Sequence, residues 1–248
     1  MAPTFRHGRS VRVCIDQHDL SPILNSVNQS ASADAAEVTS FGQDDRAYIP
    51  GLRTGTVSFE GLGDFSSEEK DSAFDGELGS TDKSVISWFP NGFTAGNIGY
   101  LASGCLTARG LNTPIDGAVS ASVDYEVSGG IRQGNLLPST ATQATATTWA
   151  SVNMGGTTHA NGAVGHLHVL AATTSGSGVV ELSALIQDSS NDSVWADLIT
   201  FTDVASTAPQ SSYERVSATG TVSNYVRARV DTQGSTAVSY IIALGRNP

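Results

Sequence analysis

The stretch "GHLHV" sets His166 and His168 two residues apart, so that in a strand both imidazoles project from one face, with His159 a little earlier in the chain. Two imidazoles at that spacing can share a zinc ion, but a tetrahedral site needs further ligands and the sequence offers no third or fourth. An exposed strand face that happens to carry histidines is the simpler reading, and neither a metal nor any other cofactor is expected. A second candidate chemistry lies between Glu60 and Asp82. Eight acids, Glu60, Asp64, Glu68, Glu69, Asp71, Asp75, Glu77 and Asp82, stand there against Lys70. Paired carboxylates are the machinery of glycoside hydrolysis, but these gather on one expected helix and its flanks, and nothing else frames a sugar cleft. No G-x-S-x-G, H-E-x-x-H, P-loop or G-x-G-x-x-G after a strand occurs, so the chain is not expected to be an enzyme.

Two tryptophans, Trp149 and Trp195, can stack on sugars if they lie on a sheet face, whereas burial between two sheets is their commoner fate. Cys14 and Cys105 are far apart with no Cys-x-x-Cys spacing, which supports neither a disulfide framework nor a cysteine zinc site and suits two small buried residues. Asn28-Gln-Ser30 and Asn191-Asp-Ser193 match glycosylation sequons. The first residues, "MAPTFRHGRSVRVCID", contain no apolar core for a signal peptide, so the sequons read as chance and synthesis is expected in a cytoplasm.

The elements that must position these residues are strands. Gly, Ser, Thr, Ala and Val dominate, and the charged content of 15% is too low for a surface of amphipathic helices. The clearest strand is "AVSASVDYEV", where Val119, Ala121, Val123, Tyr125 and Val127 alternate with Ser120, Ser122, Asp124 and Glu126. Weaker strands are "RVCID", "GTVSFEG", "SVISWF" and "YLASGCLTARG". One helix is expected over 66–78, because Ser66 and Glu69 make a capping box and Phe74 and Leu78 lie four apart on one stripe.

Residues 138–163 are nearly free of charge and rich in Ser, Thr, Ala, Asn and Gly, the texture of a linker or a loosely held leading strand. Beyond them three strand pairs are expected: "HLHVLAATT" with "VVELSALIQDS", "WADLITFTDV" with "YERVSATGTV", and "YVRARVDT" with "VSYIIALGR". The expected organisation is therefore a mainly β chain: an N-terminal β-sandwich or barrel with one short α-helix (1–137), the linker (138–163), and a C-terminal β-sandwich domain (164–248).

The 248 residues carry a net charge of -11, and 17 of the 24 acids fall before residue 139. Such a chain repels a nucleic acid backbone. No run approaches the length of a membrane span. One passage remains unexplained by folding alone: "QDDRAYIPG" joins two strand-like runs and is longer and richer in contact chemistry than a hairpin loop requires.

Taken in order, "DQHDLSPILNSVNQSASADAAEVTSFG", "DDRAYIPGLRTGTVSFEGLGDF", the acidic helix, and "ISWFPNG" with "PIDGAVSASVDYEVSGGI" resemble the phage tail tube (major tail) protein family over residues 8 to 135. The second half, with "IQDSSNDSVWADLITFT" and "SNYVRARV", looks like the small β-sandwich modules appended to phage structural proteins.

The resemblance implies a virion structural protein made in the host bacterial cytoplasm. Its subunits form hexameric rings that stack into a conduit for DNA ejection, alongside tail proteins such as the tape measure and the tail terminator. It implies that the loop Phe41, Gly42, Gln43, Asp44, Asp45, Arg46, Tyr48, Pro50 and Gly51 reaches a neighbouring subunit or ring. It also implies that part of the acidic set from Glu60 to Asp82 lines a lumen through which DNA passes without specific binding. A self-contained loop folded on its own sheet, and acids that serve only solubility, are the plainer readings of the same residues. The alternative function is a capsid decoration protein or a glycan-binding adhesin of the virion.

Overall fold

The computed structural model describes residues 8–42, 44–63, 74, 77–143, 147–155, 158–174, 180–206, 211–233 and 235–247. The described chain is almost entirely strand. In order the elements are β1 (Arg12–Ile15), β2 (His18–Asp19), β3 (Leu24–Glu37), β4 (Tyr48–Leu62), β5 (Ser84–Phe89), β6 (Ile98–Asn112), β7 (Ser120–Val127), β8 (Arg132–Gln143) and β9 (Thr147–Thr148). They continue as β10 (Val152–Asn153), β11 (Ala163–Thr174), β12 (Val180–Ser189), β13 (Ala196–Thr200), β14 (Val204–Ser206), β15 (Ser212–Ala218), β16 (Tyr225–Gln233) and β17 (Ser235–Arg246). The ladders of β1 with β2 and β5, of β3 with β4, and of β7 with β4 and β6 are antiparallel, as are those among the C-terminal strands and of β8 with β6 and β17, as short alternating strands with Gly-rich turns favour.

Two compact units emerge, and neither is continuous in sequence. One comprises Met1–Pro22, Ser84–Leu101 and Arg132–Pro248, the other Ile23–Lys83 and Ala102–Ile131. This partition differs from the expected 1–137, 138–163 and 164–248, because 1–22 and 84–101 group with the C-terminal residues. The stretch 138–163 contains the end of β8, then β9 and β10; β8 ladders with β17, and the two short strands with β16. Its low charge suits it to strands that lie against other strands.

The smaller unit holds strands in the order β3, β4, β7 and the latter part of β6. Val57 and Phe59 on β4, Val123 and Tyr125 on β7 and Leu106 on β6 are buried, the period-two rows expected of half-buried strands. The Phe59 and Tyr125 rings meet edge to face with centroids 6.3 Å apart. Gly61 is required where β3 slips register between Leu24 and Ser26, since a Cβ there would lie 2.4 Å from the Ile23 carbonyl oxygen. The helix expected over 66–78 falls mostly outside the described residues; of its two stripe positions, Phe74 is buried and Leu78 is exposed.

The larger unit is built from two sheets. In one, β15, β11, β17, β8, the start of β6, β5, β1 and β2 succeed one another; in the other, β10, β16, β12 and β13, with β9 on β16 and β14 on β12. Between the sheets lies the main core, with Leu167 and Val169 of β11 and Val238, Tyr240, Ile242 and Leu244 of β17 against Leu182, Ala184 and Ile186 of β12 and Val226, Ala228 and Val230 of β16. The other face of β17 is buried too: Ile241 and Ala243 pack with Cys14 of β1 and Phe89 of β5. The first sheet therefore curls until its far strands cover its own back, which is why "YIIALG" is a continuous apolar run without a polar row. Fully burying each such side chain contributes roughly 1.5–3 kcal/mol.

The strands expected in the C-terminal half are present, but the three expected pairs do not form. β11 ladders with β15 and β17, β12 with β13, β14 and β16, and β17 with β8 and β11. Except at the β12–β13 hairpin and its β14 extension, the chain crosses between sheets, so that consecutive strands stack face to face instead of sharing hydrogen bonds.

Candidate functional site: a projecting hairpin and a buried histidine network

The last rung between β4 and β7 joins Thr56 to Glu126, whereas the β3–β4 ladder continues to Glu37 opposite Tyr48. Beyond Gly55, which is buried against the end of β7, no third strand among the described residues ladders with the hairpin, and it runs on as a two-stranded ribbon. Residues 28–37 of β3 and 48–54 of β4 are exposed without exception. The sequence explains the ribbon's bareness on one side: β3 offers "NQSASADAAE", small and polar residues that cannot build a core.

The ribbon also carries large apolar side chains. Phe41 is fully exposed at its tip, Leu52 is 80% exposed, and Tyr48, Ile49 and Val38 are each about half exposed. The structure places Tyr48, Pro50 and Gly51 on β4 itself, so the connecting loop is 38–47. Pro50 lacks an N–H and sits where the ladder slips between Ala33 and Ala35, a position that tolerates it. The loop base is closed by Val38 N–H donating to the Ala47 carbonyl (2.8 Å), and by Thr39 Oγ1 accepting from Ala47 N–H (3.1 Å) while donating to Glu37 (2.9 Å). Arg46 stands 3.8 Å from Glu37, an exposed pair worth little by itself. Asp44 and Asp45 are exposed, Gly42 takes a positive φ of 89°, and Gln43 lies outside the described residues.

The acidic set is only partly described. Asp64, Glu68, Glu69, Asp71 and Asp75 fall outside the described residues. Glu60 points outward from β4 into an open groove of about 380 Å³ that Asn25, Asn112 and Ser122 also line. Glu77 accepts a hydrogen bond from the Tyr125 hydroxyl at 3.3 Å, and Asp82 is exposed beside a turn where its N–H meets Ser80 Oγ.

His166 and His168 are not on an exposed face, contrary to the expectation from sequence. Both are completely buried on the back of β11, where β1 and β5 cover the sheet. His168 Nδ1 lies 2.6 Å from the Asp16 carbonyl oxygen, and its Nε2 lies 2.8 Å from Ser87 Oγ, which is also 2.9 Å from His166 Nδ1. A carbonyl only accepts, so His168 Nδ1 carries the proton. The neutral ring then accepts at Nε2 from the Ser87 hydroxyl, and that hydroxyl accepts in turn from His166 Nδ1–H. One directional chain of bonds, His166 to Ser87 to His168 to Asp16, sets a proton on each Nδ1 and requires the His168 ring to be neutral.

Burial is the main cause of a His168 pKa lowered to about 4, opposed by its bond to the Asp16 carbonyl. Burial also holds His166 well below the ordinary value, helped by His168 and Arg215 and opposed by the Ile86 carbonyl. Asp16 takes a positive φ of 53° and receives the Val85 N–H on Oδ1 at 2.7 Å, which locks the β1–β2 turn to β5. His159 is exposed at an isolated bridge to Val222, away from this network. Among the described residues no group of three His, Cys, Asp or Glu side chains is placed to hold a metal. With Ser87 wholly buried, no substrate reaches the hydroxyl, and the network's chemistry is structural.

Asp16 and Ser87 were not legible as its members. The available signal was the strand "HLHVL", whose two faces are both without charge, as in strands buried on both sides. Trp149 packs against the main core and donates from Nε1 to the Tyr240 hydroxyl at 2.8 Å. Trp195 is partly exposed, with the Arg227 guanidinium 4.1 Å above its ring. Cys14 is buried and Cys105 half-buried, both as free thiols; burial, with Asp19 nearby, pushes the Cys14 thiol well up. No helix among the described residues is long and apolar enough to cross a membrane.

No protein-family model matches the chain, and no curated protein matches it. Among solved structures, a chain of the virion of a native gene transfer agent particle is 15% identical over 51% of this chain and 97% of its own, with a TM-score of 0.41. The SPP1 tail tube is 12% identical over 51% of this chain and 77% of its own, with a TM-score of 0.42. The SPP1 Dit protein, from the adsorption apparatus of a phage infecting Gram-positive bacteria, is 12% identical over 95% of this chain and 98% of its own, with a TM-score of 0.38. At such identities and scores these likenesses carry no functional argument.

Proposed function

We propose that this chain is a structural protein of a phage tail, a tube subunit that polymerises through its β3–β4 hairpin into stacked hexameric rings. The observation that carries this reading is the ribbon beyond Gly55, which sets Tyr48, Ile49 and Leu52 on its strand and Phe41 on its loop in water, where no third strand among the described residues ladders with it. A two-stranded ribbon is marginal alone, and a cluster of exposed large side chains marks a surface meant to be covered. A second copy of the chain is the occupant, because the family resemblance of "DDRAYIPGL" implies that this hairpin reaches a neighbour. Asp44 and Asp45 supply the polar rim around that apolar centre. Other tail proteins meet the ends of the stack, and the protein works in the virion without catalysis.

The conduit follows from the same assembly. With each copy at -11, a lumen lined by part of the set from Glu60 to Asp82 repels phosphate and leaves DNA no adhesive site. The test is replacement of residues 43–48 by a short Gly-Ser bridge, followed by circular dichroism melts and electron microscopy of one sample. The expected outcome is a folded subunit that forms neither rings nor tubes. Normal tubes from the deleted protein would overturn the reading, as would a wild-type protein that stays monomeric and binds only assembled capsids.

A further inference from the structure

On the outer face of the second sheet of the larger unit, β16 points Tyr225, Arg227 and Arg229 away from the core while Val226, Ala228 and Val230 enter it. Opposite them on β12 stand Ser189, Gln187 and Leu185. Arg227 is held in place twice: its guanidinium lies 4.1 Å over the Trp195 ring, and its Nε donates to Gln187 Oε1 at 2.9 Å. Gln187 is itself fixed, since its Nε2 donates to Asp197 Oδ1 at 2.8 Å. The amide thus stands between Arg227 and Asp197 instead of letting the two pair. Among the described residues no carboxylate lies within ion-pair distance of Arg227 or Arg229. Asp188 faces inward and receives the Ser223 N–H at 2.7 Å, and Asp231 lies one outward position beyond Arg229.

We propose that this face is a binding site for a carboxylate or phosphate group, held by the terminal nitrogens of Arg227 with Arg229 as a second cation. A guanidinium's planar fork matches such oxyanions through paired charge-assisted bonds, and a side chain already immobilised loses little entropy on binding. Only four of the chain's thirteen basic residues lie beyond residue 138, and two of them share this strand face. A chain at -11 offers a polyanion no long-range attraction, so binding must come from this local geometry. Trp195 serves by orienting Arg227, since the ring face beneath the guanidinium is not open to a sugar. The inference is independent of the assembly reading.

The test is calorimetric titration of the full chain with inorganic phosphate, acetate, a glycerol-phosphate polymer, a uronic acid polymer and a neutral polysaccharide. Binding of the charged polymers without the neutral one is expected, and binding of phosphate or acetate alone would assign the site to free anions. Arg227→Lys keeps the charge but loses the fork and the stacking, and should weaken binding about tenfold or more. Arg229→Gln should weaken it severalfold. Trp195→Leu should act like Arg227→Lys if the fold persists; should it unfold, Arg227→Lys still decides. No binding of any anion, or unchanged binding by Arg227→Lys in a protein with a wild-type melt, would overturn the proposal.

Discussion

The projecting ribbon and the β11–β17 pair are both long antiparallel hairpin-like ladders, yet one is exposed on both faces and the other buried on both. β17 reads "AVSYIIALG", with apolar residues at odd and even positions, and each face finds its own cluster. The exposed length of β3 reads "NQSASADAAE", and neither face has anything to bury. Its partner strand nevertheless keeps Tyr48, Ile49 and Leu52. The lesson is that hydrogen-bonded ladders form in both settings, while stability comes from what the faces bury. The buried pair contributes to folding, and the ribbon is left to gain from a partner.

This contrast can be broken by substitution. Phe89→Ala on the buried side empties a fully buried ring site and should cost about 3–5 kcal/mol, read as a lower urea midpoint at unchanged slope. Next in size is the acid response of the histidine network. His168 has a folded pKa of about 4 against an ordinary 6.5, so the unfolded chain binds more protons between those values and stability falls as pH drops through that window. The loss approaches about 3 kcal/mol near pH 4, and His168→Gln should flatten that slope in melts recorded from pH 7 to 4. A steep slope retained in the variant would place the acid sensitivity elsewhere.

Smaller still is Ser87→Ala, which leaves His166 Nδ1 and His168 Nε2 facing a methyl group. It should cost about 1–3 kcal/mol by chemical denaturation. On the ribbon, Leu52→Ser should change subunit stability by no more than about 0.5 kcal/mol while sedimentation shows smaller assemblies. A large loss of stability would mean that Leu52 packs within its own subunit. The smallest expected effect is none: duplex DNA at low salt should produce no mobility shift, and salt-sensitive micromolar binding would contradict a non-adhesive lumen.

Local pattern marked many of the strands, though not β3 or β8, which lack a clear alternation. "AVSASVDYEV" became β7 with Val123 and Tyr125 inward, "SVISWF" became β5, and the low-charge, Gly-rich texture yielded a chain of ladders, because alternation is a local property of neighbouring residues. The sequence also singled out "QDDRAYIPG" as longer and richer than a hairpin turn needs, with Tyr48 as its aromatic contact residue. Which strand meets which is a property of the folded molecule as a whole. The three pairs expected after residue 163 separated onto opposite sheets, and residues 12–22 and 84–101 joined the C-terminal strands. Partner choice depends on total burial over distant segments, which no local period encodes. The same reason hid the histidine network: "HLHV" states which side chains share a face, but its burial was set by β1 and β5, which lie more than seventy positions away and bring Asp16 and Ser87 to the rings.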